Sequence, residues 1–137
     1  MNTIPDSNVL LDVFQSDPVW ALWSARHLGE SRDAGRIVVN PVIYAESGGH
    51  FIDLGEFQRA MSLVGVGYED VPWRAAFLAG RTFRAYRKSG GMRERVLPDF
   101  LIGAHAATLG YRLLTRDAAR YRTYFPKLHI IAPDTHP

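Results

Sequence analysis

The chain of 137 residues contains no cysteine. It therefore has no disulfide bonds, no thiolate metal sites and no cysteine nucleophile, and it needs no oxidising compartment. Any metal ion would have to bind to carboxylate oxygens or imidazole nitrogens. These absences lead us to expect a cytoplasmic protein.

Long hydrophobic runs are also absent. No stretch approaches the roughly 18 consecutive apolar residues of a membrane span, and the first five residues lack the basic and apolar regions of a secretion signal. We therefore expect neither export nor membrane insertion. Apolar residues make up 47% and charged residues 22% of the chain, which is typical of globular proteins. The length predicts one domain over residues 1–137.

Several common catalytic motifs are missing. The sequence has no G-x-G-x-x-G motif, no Walker loop and no Gly-x-Ser-x-Gly elbow. Five histidines occur, but no two have the i, i+4 spacing of a zinc pair on a helix, so we interpret each as structural. The chemistry that remains available rests on carboxylates and arginines.

The net charge of +2 conceals an asymmetry between the two halves of the chain. Residues 1–73 carry four arginines against ten acids, a net of −6, whereas residues 74–137 carry twelve basic residues against four acids, a net of +8. A basic half is typical of a surface that binds anions, of which nucleic acid is the commonest.

Part of the basic half forms a stripe on a predicted helix. Arg81, Arg84 and Lys88 recur at i, i+3 and i+7, and Arg93 and Arg95 follow a Ser-Gly-Gly loop. These five residues are our candidates for binding RNA. The alternative interpretation is an ordinary solvent-exposed helix face.

Short apolar runs alternate with helical patterns along the chain. Strands are predicted at Ile4, Arg36–Val39, Tyr68–Val71, Arg112–Thr115 and Leu128–Ile131. Helices are predicted to begin near Ser7, Pro18, Pro41, Phe57, Trp73, Pro98-Asp99 and Asp117, and Trp20, Trp23 and Trp73 are assigned to the core. This alternation predicts an α/β fold with a mostly parallel sheet of four or five strands and helices on both faces.

Four acids lie near predicted strand ends or helix starts, where ligands of parallel sheets bind. They are Asp6, Glu46, Asp99 and Asp117. Gathered in one pocket they would repel by about 4 kcal/mol per pair at 4 Å and an effective dielectric near 20, a conflict that a divalent cation removes. Oxygen ligands favour Mg²⁺ or Mn²⁺, and together with the arginines they indicate metal-dependent hydrolysis of nucleic acid.

Each acid also has a plainer interpretation. Asp99 and Asp117 could be no more than helix caps, and Asp6 no more than a turn former. Glu46 could be an exposed helix residue.

At these residues the sequence resembles the PIN-domain ribonucleases, and among them the VapC toxins of bacterial toxin–antitoxin pairs. The segments that carry the resemblance are "IPDSNVLLDVF", "NPVIYAE", "LPDFLIGAHAATLGYRLLTRD" and "RYRTYFPKLHIIAP". They place Asp6, Glu46, Asp99 and Asp117 in the positions of the four acids of the family. The resemblance extends over nearly the whole chain.

The resemblance implies a three-layer α/β/α fold and hydrolysis of RNA by metal-activated water. The four acids would be catalytic and would ligate one or two Mg²⁺ or Mn²⁺ ions, with Asn8 and Thr115 orienting them or water. It further implies a homodimer and a protein antitoxin whose C-terminal segment fills the groove.

Two other classes remain as alternatives. The first is a haloacid-dehalogenase-like phosphatase, because Asp6-Ser7-Asn8-Val9 is similar to the D-x-D-x-[TV] motif, although Asn8 replaces its second aspartate. The second is a non-catalytic module that binds RNA or a partner through the arginine-rich half.

Overall fold

The computed structural model describes residues 1–92 and 96–137. The strands are β1 (Thr3–Pro5), β2 (Ile37–Val39), β3 (Val66–Tyr68), β4 (Arg112–Leu114) and β5 (Ile130–Ile131). The helices are α1 (Ser7–Phe14), α2 (Ala21–Ala34), α3 (Pro41–Gly48), α4 (Leu54–Val64), α5 (Trp73–Lys88), α6 (Leu97–Leu109) and α7 (Ala119–Tyr124). The strands form one parallel sheet in the order β3-β2-β1-β4-β5.

The strand order sets the layers. The chain moves from β1 through β2 to β3 in one direction and then returns past β1 to β4 and β5. Because crossovers between parallel strands are right-handed, α1 to α4 cover one face of the sheet and α5 to α7 cover the other. The apolar residues of the central strands are fully buried between these layers, including Ile4, Val38 and Leu113. The predicted parallel α/β fold is confirmed.

Short polar side chains start three of the helices. Asp6, Asn40 and Asp53 are the N-caps of α1, α3 and α4, and each accepts a hydrogen bond from a backbone N–H of the first turn. Gly65 ends α4 with a φ of 82°, a left-handed conformation that costs glycine little. Asp6 and Asn40 also directly follow β1 and β2, so the capping positions lie at the carboxyl edge of the sheet.

Several predicted boundaries differ from those of the structure. Strand β3 spans Val66–Tyr68 rather than Tyr68–Val71, because its pairing with β2 keeps Gly67 inside the strand, opposite Val38. Asp99 and Asp117 are not helix caps either. Val96 is the N-cap of α6 and Ala118 that of α7, so the plainer interpretation of both acids is wrong.

Trp73 does not lie in the core. Its side chain is 94% exposed and that of Phe77 is 68% exposed, whereas Ala75 and Ala79 are the fully buried residues of α5. The face that Trp73 shares with Ala76, Phe77 and Gly80 therefore points to solvent. Helix α5 packs on α6, and the rings of Phe83 and Tyr86 contact that of Phe100 in α6.

No helix in residues 1–92 or 96–137 is long and apolar enough to cross a membrane. The longest helix of this part of the chain, α5, has 16 residues, of which Arg74, Arg81, Arg84, Arg87 and Lys88 are basic.

Candidate active site

Three of the four predicted acids meet at the carboxyl edge of the sheet. Asp6 follows β1, Glu46 lies in α3 after β2, and Asp99 lies in the first turn of α6. Asp6 is 6% exposed, while Glu46 and Asp99 are half-buried. The charges of Glu46 and Asp99 both act on Asp6, and that of Asp99 acts on Glu46. The fold thus gathers carboxylates that lie up to 93 positions apart in the sequence.

Hydrogen bonds hold the Asp6 carboxylate on both oxygens. Its Oδ1 accepts from the backbone N–H of Ser7 at 2.8 Å. Its Oδ2 accepts from the Thr115 hydroxyl and from the Tyr121 hydroxyl, each at 3.0 Å. Ser7 and Tyr121 lie in α1 and α7, and Thr115 directly follows β4, so the carboxylate has one defined orientation.

The electrostatics of the pocket oppose a full set of negative charges. Burial, together with the charges of Asp99 and Glu46, raises the pKa of Asp6 from 3.8 to about 6, although the hydrogen bonds from Thr115 and Tyr121 act in the opposite direction. Burial also raises the pKa of Glu46, and so does the charge of Asp99, while a hydrogen bond from Ser7 Oγ at 3.1 Å lowers it. The charge of Asp99 therefore makes both Asp6 and Glu46 harder to ionise, and that of Glu46 acts in the same way on Asp6.

Asp99 lies beside an arginine of α7. Arg120 Nη1 donates to Asp99 Oδ2, and both side chains are about three-quarters covered, with 24% and 29% exposed. Asp99 is the third residue of α6, where the positive end of the helix dipole favours a carboxylate. The positively charged guanidinium of Arg120 therefore lies directly beside the acidic pocket.

Asp117 is placed differently from the other three acids. Its side chain is exposed, and within residues 1–92 and 96–137 its carboxylate has no hydrogen-bond or ion-pair partner. Its backbone N–H donates to Thr115 Oγ1 at 3.1 Å. The direct contribution of Asp117 to the pocket is thus to orient Thr115, and its role as a ligand stays a prediction.

Asn8 and Thr115 form a short chain of hydrogen bonds that ends on Asp6. Asn8 Nδ2 donates to Thr115 Oγ1 at 3.4 Å, and Thr115 donates to Asp6. Asn8 Oδ1 in turn accepts from the backbone N–H of Arg116 at 3.3 Å. Both residues thus lie where side chains that orient a carboxylate would lie.

Three polar residues of the site were missed in the sequence. Tyr121 donates to Asp6, Ser7 donates to Glu46, and Arg120 pairs with Asp99. The only signal for Tyr121 is indirect and comes from Gly103 on α6. A Cβ there would lie 2.6 Å from the Phe125 ring and 3.1 Å from that of Tyr121, so glycine lets α7 approach closely enough for the Tyr121 hydroxyl to reach Asp6.

The basic stripe lies on the outer surface of α5. Arg81, Arg84 and Lys88 are exposed and, with Phe77 and Ala85, line an open groove of about 520 Å³. The Arg81 guanidinium lies 6.0 Å from the centre of the Phe77 ring. Arg93 and Arg95, the other two RNA-binding candidates, lie outside the described residues.

The donor set of the pocket is suited to a hard divalent cation. It consists of the carboxylate oxygens of Asp6, Glu46 and Asp99. Burial and the charge of Asp99 raise the pKa values of Asp6 and Glu46, and an Mg²⁺ or Mn²⁺ ion would compensate these negative charges. In the two described ranges, however, no three Asp, Glu or His side chains converge closely enough to form a complete cage. Ligation of one ion by Asp6, Glu46 and Asp99 together therefore requires rotation of side chains. Glu46 and Asp99 are less buried than Asp6.

Comparison with known proteins relates this fold to toxin–antitoxin complexes. No protein-family model matches the sequence, and a search of curated proteins finds no relative. Among solved structures, the chain is similar to one in VapBC2 from Rickettsia felis bound to a promoter DNA fragment, with a TM-score of 0.70, 16% identity, and coverage of 96% of this chain and 98% of that one.

Two further solved structures agree. VapBC-1 from nontypeable Haemophilus influenzae matches with a TM-score of 0.70, 18% identity, and coverage of 96% of this chain and 98% of that one. FitAcB from Neisseria gonorrhoeae matches with a TM-score of 0.62, 16% identity, and coverage of 98% and 99%. At such identities the likeness concerns the fold. The resemblance to VapC-type PIN domains is therefore confirmed at the level of the fold, over almost the whole length of the chain.

Proposed function

We propose that this protein is a metal-dependent endoribonuclease that acts as the toxin of a toxin–antitoxin pair. The observation that carries the proposal is the coupling of Asp6, Glu46 and Asp99 at the carboxyl edge of the sheet, with the pKa of Asp6 raised to about 6. A buried cluster of mutually repelling carboxylates is costly for a protein that does not use it. The fold shared with VapBC and FitAB complexes supports the same function.

Some residues of the pocket would bind the metal ion, and others would orient the residues that bind it. Asp6, Glu46 and Asp99 supply the oxygen ligands, and Asp117 contributes through water or by orienting Thr115. A bound Mg²⁺ or Mn²⁺ ion supplies an activated water and neutralises charge on the scissile phosphodiester. Thr115 and Tyr121 keep Asp6 in one orientation, which lowers the cost of arranging the ligands.

The Asp99→Asn variant tests the ligand assignment. Asparagine has nearly the shape of aspartate but is a poor ligand for a hard cation, so cleavage of RNA should fall by about a thousandfold, a loss on the scale of removing one key charged group. Stability should change by less than about 1 kcal/mol, because the variant loses the partly exposed ion pair with Arg120 but also a repulsion with Asp6. Cleavage assays and urea denaturation measure the two effects.

Asp117→Asn is the matched control for this experiment. The same chemical change at an exposed carboxylate should reduce cleavage less than Asp99→Asn does. If Asp99→Asn cleaves RNA like the wild type, Asp99 is not a ligand.

The stripe of Arg81, Arg84 and Lys88 would bind the phosphate backbone of the RNA. Replacing all three with glutamate should weaken RNA binding and flatten the dependence of log K on log salt by about 2 units, since each phosphate contact contributes about 0.7 for a single strand. Fluorescence anisotropy at several salt concentrations measures the slope. An unchanged slope would mean that these side chains face only solvent.

The partner of the protein in the cell would be an antitoxin. The similar chains belong to complexes named VapBC and FitAcB, one of which is bound to promoter DNA. By analogy, a segment of the antitoxin would fill the acidic pocket of this protein in the cytoplasm. It would thereby prevent RNA from reaching the carboxylates.

The exposed N-terminal half of α5 would join two copies of the chain in a homodimer and leave the basic stripe of its C-terminal half to RNA. Trp73 and Phe77 share this exposed surface with Ala76 and Gly80, and a Cβ added at Gly80 would meet no atom within 4 Å. Small residues between exposed rings allow two helices to approach closely, and monomers rarely leave such apolar patches in water. The double variant Trp73→Ala, Phe77→Ala should sediment as a monomer, whereas the wild type sediments as a dimer. A monomeric wild type would contradict the homodimer.

The phosphatase alternative is less favourable. Its second aspartate must be free to transfer a proton, but here Asn8 takes that place and bonds through both amide atoms to Thr115 and the backbone of Arg116. A non-catalytic RNA-binding or partner-binding module would leave the coupling of three carboxylates without a purpose.

A further inference from the structure

Two buried polar side chains outside the acidic pocket link the helices that carry Glu46 and Asp99. His105 of α6 is fully buried, as is Asn40, the N-cap of α3. The two side chains are joined by a hydrogen bond of 3.1 Å between Asn40 Nδ2 and His105 Nδ1. On its other side His105 Nε2 lies 3.0 Å from Glu69 Oε1, and Glu69 also accepts from the Tyr111 hydroxyl.

The hydrogen bonds define where the protons are. Asn40 Oδ1 accepts from the backbone N–H of Ile43 at 3.0 Å, so its amide nitrogen is the atom that donates to His105. His105 Nδ1 must then be the acceptor, and Nε2 carries the proton that is donated to Glu69. Every polar atom of His105 is thereby used, and the ring has a single tautomer and orientation.

The Asn40–His105 bond connects the two sides of the pocket. Asn40 is six residues before Glu46 in the same loop and helix, and His105 is six residues after Asp99 in α6. The two helices, α3 and α6, also pack against each other. Because Glu46 and Asp99 are side chains of rigid helices, a bond between the helices fixes the distance over which these carboxylates can share a ligand.

We propose that His105 is a positioning residue that sets the spacing of Glu46 and Asp99 through its bond to Asn40. The proposal rests on the metal-dependent function proposed above. His105 touches neither the metal nor the RNA in this account. Its effect is on the affinity of the pocket for a divalent cation, and the contact with Glu69 serves only to keep the ring in its orientation.

Two variants of His105 separate the bonds that the ring makes. In His105→Gln the amide nitrogen takes about the place of Nε2, so the contact with Glu69 is kept and the bond to Asn40 is lost. In His105→Asn the amide oxygen takes about the place of Nδ1, so the bond to Asn40 is kept and the contact with Glu69 is lost. Calorimetric titration with Mn²⁺ should give a Kd about tenfold weaker for His105→Gln, because residues that orient metal ligands typically contribute effects of this size. The Kd of His105→Asn should be nearly unchanged.

Asn40→Ser provides the same test from the other helix. Serine still caps α3 but is too short to reach His105, so the Kd for Mn²⁺ should again weaken about tenfold. Ser24→Ala is the control for stability alone. It removes a bond of 2.7 Å to the buried Asp12 between α1 and α2, and it should lower the melting temperature without changing the Kd.

The outcomes distinguish this inference from the function on which it rests. A wild type that fails to bind Mn²⁺ contradicts the proposed function itself. If the wild type binds Mn²⁺, two results would overturn the positioning role. In the first, Asn40→Ser and His105→Gln bind Mn²⁺ as tightly as the wild type. In the second, His105→Asn binds Mn²⁺ as weakly as His105→Gln.

Discussion

The Asp6→Asn variant is expected to be inactive on RNA and yet more stable than the wild type in the absence of metal. Asp6 is buried, and its pKa is raised from 3.8 to about 6. Each unit of such a shift corresponds to about 1.4 kcal/mol, so the ionised carboxylate costs the folded state about 3 kcal/mol at neutral pH. Asparagine removes that charge, and its one amide oxygen can still accept from the Thr115 and Tyr121 hydroxyls, although the bond from the Ser7 N–H is then lost.

The gain in stability of Asp6→Asn over the wild type should increase with pH. Because the folded pKa of Asp6 lies above the unfolded one, protonated Asp6 stabilises the fold fully below about pH 4, and this stabilisation is lost as the pH rises through about 6. The two proteins should therefore be about equally stable near pH 4 and differ by about 2 to 3 kcal/mol at pH 7. Urea denaturation in a chelating buffer measures the difference. A variant less stable than the wild type at pH 7 would mean that the Asp6 charge is already compensated.

Binding of Mn²⁺ is expected to weaken steeply in acid. The ion competes with the proton for Asp6, and one unit below its pKa of about 6 only about a tenth of the group is ionised. Calorimetric titration should therefore give an affinity at about pH 5 that is at least about tenfold lower than at about pH 7, with protons released on binding. The raised pKa of Glu46 acts in the same direction.

Asp117→Asn is the control that separates protonation of Asp6 from a general loss of negative charge near the pocket. Its carboxylate is exposed and lies outside the coupled group, so the variant should keep the full dependence of Mn²⁺ affinity on pH. An affinity that does not change between these pH values would contradict the assignment of Asp6 as a ligand.

The parts of the site that depend on local chemistry were predictable from the sequence. Asp6 follows a strand and caps a helix, and both roles are visible in the residues next to it. Glu46 could be placed because Asn40 and Pro41 mark the start of α3. The parallel sheet followed from the alternation of apolar runs and helical patterns.

The parts that depend on distant contacts were not predictable. The bond from Tyr121 to Asp6 spans 115 positions and requires the close packing of α7 on Gly103. The link between Asn40 and His105 spans 65 positions, and each of these residues has an ordinary structural interpretation by itself. Trp73 was misplaced because helical spacing shows that residues share a face but does not show which way that face points.

The most direct test of the account is incubation of the purified protein with total cellular RNA in Mg²⁺, in Mn²⁺ or in a chelator, followed by analysis of the cleaved ends. The account predicts cleavage with either metal, none with the chelator, and ends without 2′,3′-cyclic phosphate, since water rather than the ribose hydroxyl attacks the phosphodiester. Cleavage that persists in the chelator, cyclic phosphate ends, or intact RNA in both metals would contradict it.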